Sequence, residues 1–123
     1  MLTIRKEQLR VLDSDRRMHF VAKMLQHVQK FFPERCALLG ENQIREWVEH
    51  GINRATSYRI ASERDVCKYI DVMIVFGKDF DQDARLPWAS KILRVQHTKP
   101  PEKTRLLFEA AQQNQPAPGS VRG

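Results

Sequence analysis

Apolar residues recur along this chain at steps of three and four, the spacing that gathers side chains on one face of an α-helix. Met18, Val21, Leu25, Val28 and Phe32 follow it first. Phe20, Met24 and Phe31 widen the stripe, and Leu9 and Leu12 extend it upstream. The pattern predicts a first helix from about Ile4, with Thr3 as its cap and a kink or break at Asp13-Ser14-Asp15. Pro33 disfavours helical geometry at Phe32, so the helix should end there. Pro33 then suits the first turn of a short helix reaching Leu39, with Gly40 as its stop.

The next helix is expected from about Glu41 to Ser57, with Ile44, Trp47, Val48, Gly51, Ile52 and Ala55 on one face. Gly51 costs about 1 kcal/mol relative to alanine in a helix interior, which a close helix–helix contact would explain. Ser62-Glu63-Arg64-Asp65 resembles a capping box with aspartate in its fourth position. The helix it opens carries Val66, Tyr69, Ile70, Met73, Ile74 and Val75 and closes at Gly77. Its second half is apolar nearly all round, the mark of a central core helix. A loop is expected over 78–85. Pro87 starts a short helix with Trp88, Ala89, Ile92 and Leu93, and Lys99-Pro100-Pro101 punctuates before a last helix from about Glu102 to Gln113. No segment alternates with period two. The expected fold is therefore all-α: a compact bundle of roughly five or six helices in one domain over 1–113, with a disordered tail over 114–123.

Composition narrows the class. The chain has 123 residues, 41% hydrophobic and 29% charged, enough for a single core in a water-soluble domain. The longest apolar run, Val72 to Phe76, is far short of the roughly 20 residues of a membrane helix. The polar N-terminus carries no secretory signal pattern, so a cytoplasmic protein is expected. Cys36 and Cys67 follow no C-x-x-C spacing and read as buried, reduced thiols. The net charge is +6, with the excess mainly in the first helix, where residues 1–35 hold eight basic against four acidic side chains. No run of five or six like charges appears, which suits a solvated basic face or an acidic protein partner.

Candidate chemistry is sparse. Asp79-Phe80-Asp81-Gln82-Asp83 has the spacing that begins a calcium loop, but Ala84 and Ser90 stand where such a loop needs glycine and glutamate. The histidines His19, His27, His50 and His97 form no H-x-x-x-H pair, so a metal site would have to be assembled from distant segments. There is no G-x-S-x-G elbow and no phosphate-binding glycine loop. The expectation is no catalytic residue, no metal and no cofactor. The helices at 41–57 and 62–76 invite a helix-turn-helix reading, but Glu63, Arg64, Asp65, Lys68 and Asp71 sum to −1 on the would-be reader. Phe80 and Trp88, on or beside a loop, are the candidate partner-binding aromatics, with Asp79, Asp81 and Asp83 as candidate polar contacts.

Several stretches occur together in a recognisable order. They are Phe32-Pro33-Glu34-Arg35-Cys36; Glu63-Arg64-Asp65-Val66 with Tyr69-Ile70-Asp71 and Met73; Phe76-Gly77-Lys78-Asp79-Phe80-Asp81; and Leu86-Pro87-Trp88-Ala89 with Ile92-Leu93. Across roughly residues 3–95 the chain thereby resembles a family of small, all-helical bacterial proteins encoded beside type VI secretion spike, PAAR-tip and effector genes. Arg59 departs from that pattern, which often has glycine before the isoleucine at Ile60. The resemblance implies no enzyme activity. It implies a non-catalytic adaptor or co-chaperone whose partner is a secretion effector, its chaperone or a spike component. The alternatives are an immunity protein that neutralises a toxin and, from another class, a DNA-binding regulator. Neither membrane nor nucleic acid is the expected partner.

Overall fold

The structure, a computed structural model, describes residues 14–95 and 98–114. Among the described residues six α-helices run in the order α1 (Ser14–Phe31), α2 (Pro33–Leu39), α3 (Glu41–Ser57), α4 (Glu63–Phe76), α5 (Pro87–Leu93) and α6 (Pro100–Gln113). A single 3₁₀ turn, Phe80–Gln82, lies between α4 and α5, and no strand occurs among the described residues. The expected start at Ile4, the Thr3 cap, and Leu9 and Leu12 lie outside the described residues, as does the tail beyond Asn114. No described helix is long and apolar enough to cross a membrane.

Local chemistry sets the boundaries. Pro33 and Pro87 occupy first-turn positions, where the missing N–H has no intrahelical partner to lose. Gly40 and Gly77 stop α2 and α4 at φ +85° and +121°. Ser62 caps α4 by accepting from the Asp65 N–H at 3.2 Å. The Ser62 hydroxyl also donates to Asp65 Oδ2 at 3.0 Å, so aspartate closes the box through the hydroxyl. α6 begins two residues before its expected start, because Pro100 and Pro101 fit the first turn and the ladder opens with Lys103 N–H to Lys99 O at 2.9 Å.

α4 is the central helix, packed against α1, α3 and α6. Val66, Tyr69, Ile70, Met73 and Ile74 are fully enclosed in it. Gly51 allows α3 to lie close: a β-carbon there would come within 2.8 Å of Ile70 Cγ1 and 3.1 Å of Met73 Cε. The inner face of α1 differs from the expected stripe. Phe20, Val21, Met24 and Val28 are buried, whereas Met18 is 71% and Phe31 58% exposed. Steps of four from Phe20 through Met24 to Val28 point at α3 and α4, leaving Met18 on the outer flank.

α3 ends in a Schellman motif. Ile60 N–H reaches Ala55 O and Arg59 N–H reaches Thr56 O, both at 2.9 Å, with Ile60 tucked into the core. The motif requires a left-handed residue between them, and Arg59 supplies it at φ +70°.

Candidate functional site

The acidic segment Asp79–Asp83 is folded onto the body of the protein. Phe80 is 1% exposed, its ring 5.1 Å from that of Tyr69. This corrects its expected role as a surface anchor: the 3₁₀ turn points the ring inward, so it serves the core. Trp88 is half-buried, edge-on to Phe76 at 5.1 Å, and only part of its indole faces outward. Asp81 is likewise no surface contact. Its side chain is fully buried, with Oδ2 accepting from Arg54 Nε at 2.8 Å, from Arg54 Nη2 and from Tyr58 Oη at 2.7 Å. The buried carboxylate holds the Arg54 guanidinium charged far beyond its usual range, and desolvation together with Asp81 raises the Tyr58 phenol. Asp79 is exposed with Oδ1 3.3 Å from His50 Nε2, and Asp83 holds Arg85 through both carboxylate oxygens at 3.0 and 2.8 Å. The three carboxylates face three different basic side chains, so they do not converge as calcium ligands do.

A cavity of about 500 Å³ opens where α3, α5 and α6 meet, lined in part by Tyr58, Arg59, Arg94, Lys99 and Lys103. Its described lining holds four cationic side chains and no carboxylate. Lys103 is the buried one, at 4% exposure. Its Nζ donates to Tyr58 O at 3.2 Å and Leu93 O at 3.1 Å, joining the C-terminal ends of α3 and α5, where the helix dipoles favour positive charge. Desolvation, with Arg59 adding like-charge repulsion, lowers the Lys103 pKa. An anion entering the cavity would relieve that repulsion. The sequence reading missed this site. The one available signal was Lys103 in register with Leu107 and Ala111 on the buried face of α6.

A second constellation joins α1 to α4. His27 Nε2 lies 2.7 Å from Asp71 Oδ1 and 3.8 Å from Cys67 Sγ. Cys67 and Asp71 are one helical turn apart, which was legible, while their partner 40 and more residues upstream was not. A cysteine–histidine relay would use one ring nitrogen for the thiol and the other for the carboxylate. Here both face Nε2. Burial also pushes the Cys67 thiol up to about 11, so it is protonated at neutral pH and a poor nucleophile. Burial raises the Asp71 carboxyl against the opposing pull of His27.

The helix-turn-helix reading meets a steric obstacle. Eight residues of α4 are buried, including Val66, Tyr69, Ile70 and Met73, so the would-be reading helix is the core of the bundle. No protein-family model, no curated protein and no solved structure matches this chain.

Proposed function

We propose that this protein is a non-catalytic binding module whose basic cavity receives an acidic segment of a protein partner. The carrying observation is the cavity itself, with Arg59, Arg94, Lys99 and Lys103 along a lining without any described carboxylate. A concave site of this volume suits a short run of carboxylate side chains or a chain terminus. A DNA duplex presents its phosphates along a convex ridge and would find no protruding reading helix. The +6 net charge adds long-range attraction for the same partner.

The finer identity rests on the sequence resemblance: an adaptor or co-chaperone for a type VI secretion effector or its chaperone, acting inside the cell. The test is co-purification from the native host with the wild-type chain and with an Arg94→Glu/Lys99→Glu variant of intact helicity. One acidic protein recovered with wild type at near-equal amounts, and lost with the variant, is the expected result. Recovery indifferent to the charge reversal, or recovery of nucleic acid alone, rejects the reading. A toxin among the recovered proteins, with growth rescued by co-expression of this chain, would make it an immunity protein.

A further inference from the structure

We propose that His27, Cys67 and Asp71 form a binding site for one divalent transition-metal ion of borderline softness, with zinc the best fit. Three donors of three kinds converge: an imidazole nitrogen, a thiol sulfur and a carboxylate oxygen, all within 4.8 Å of one another. Imidazole and thiolate together select zinc over magnesium and calcium, which prefer all-oxygen sites.

Two of the three donor separations are close to what the ion needs, and the third, between Cys67 Sγ and the Asp71 carboxylate, is no more than 4.8 Å. Zinc ligands at about 2.0–2.3 Å from the metal stand about 3.3–3.8 Å from one another in a tetrahedron. The Nε2–Sγ separation is 3.8 Å. The Nε2–Oδ1 separation is 2.7 Å, so the ion would part this pair by about 0.6 Å, within reach of a small side-chain rotation. The donors sit on helices of 18 and 14 residues packed against each other, which fixes their approach better than a loop would.

Charge and access agree. A neutral imidazole, a thiolate and a carboxylate balance a divalent cation. On binding, the ion replaces the Cys67 thiol proton, which leaves to solvent, and the imidazole carries its own proton on Nδ1. The His27 and Asp71 side chains are 26% and 19% exposed, so the ion enters from solvent. The fourth tetrahedral position falls to water or to a donor from a partner. The Phe31 ring, centred 4.8 Å from that of His27, covers part of the imidazole and limits its swing. This site is separate from the basic cavity, and its occupancy does not depend on the partner proposed above.

The test is titration of the metal-free, reduced chain with cobalt(II), followed by zinc(II). Expected are one cobalt per chain, the visible absorption of four-coordinate cobalt, and a thiolate-to-cobalt charge-transfer band in the near ultraviolet that zinc abolishes. Cys67→Ser should remove the charge-transfer band while leaving helicity intact, and Cys36→Ser should retain it. His27→Gln and Asp71→Asn should each weaken binding by about tenfold or more. No saturable binding, a band that survives Cys67→Ser, or a band lost with Cys36→Ser would overturn the proposal. Should Cys67→Ser unfold, Asp71→Asn with unchanged cobalt affinity would overturn it as well.

Discussion

Gly51 faces Ile70 across the α3–α4 interface so closely that a β-carbon on Gly51 would lie 2.8 Å from Ile70 Cγ1. Two effects compete at this position. Gly51→Ala gains about 1 kcal/mol of helix propensity. Overpacking a well-filled core costs about 1–3 kcal/mol, and Ile70 is fully buried. The clash should win, lowering stability by about 1 kcal/mol in denaturant unfolding. An alanine variant more stable than wild type would show that the two helices can part at little cost.

The Arg54–Asp81 pair should respond asymmetrically to removal of either partner. Asp81 is fully buried, while the Arg54 side chain is 26% exposed. Asp81→Asn leaves a guanidinium that can turn to water. Arg54→Met leaves a buried carboxylate with only the Tyr58 hydroxyl for company. The second change should cost more, about 3 kcal/mol against about 1–2 for the first. Equal losses in equilibrium unfolding at pH 7 would contradict the burial of Asp81.

Arg59 holds a left-handed conformation at φ +70°. Such a residue costs about 1–2 kcal/mol, which glycine avoids at an entropic cost of about 0.5–1 kcal/mol. Arg59→Gly should therefore raise stability by about 0.5–1 kcal/mol. The same change removes a cation from the cavity, so it should weaken binding of an acidic peptide while the fold improves. Thermal unfolding and peptide fluorescence anisotropy measure the two effects on one variant. Strengthened peptide binding would detach Arg59 from the proposed function.

Alkaline solution should destabilise the protein. Burial raises Tyr69 above its usual 10.0 and Cys67 from 9.0 to about 11, and Tyr58 and Cys36 shift the same way. Groups raised in the folded state contribute stability below their unfolded values and lose it as pH climbs toward the folded ones. Lys103, lowered by desolvation, acts in the opposite sense up to 10.5 and offsets part of the loss. The sum should be a fall of about 1–2 kcal/mol between pH 8.5 and 11, seen in chemical denaturation. Tyr69→Phe should flatten the slope without loss at pH 7, since its buried hydroxyl makes no hydrogen bond among the described residues. An unchanged slope in that variant would assign the alkaline loss to other groups.

The amino-acid sequence determined the helices because helix formation and termination are local. Pro33, Gly40, Ser62, Gly77 and Pro87 each act on backbone groups within four residues, and the steps of three and four from Ile44 to Ala55 and from Val66 to Ile74 state which faces must be hidden. What the tertiary structure alone decided is which polar groups share those hidden faces. Arg54 meets Asp81 over 27 positions, His27 meets Asp71 over 44, and Lys103 reaches the Tyr58 carbonyl over 45. Phe80 and Asp81 read as surface loop residues because their own neighbours are polar, and they are buried because the 3₁₀ turn folds back beside α3 and α4. A periodic pattern says how much of a helix turns inward. It does not say which distant charge waits there, because that depends on the order in which the helices pack.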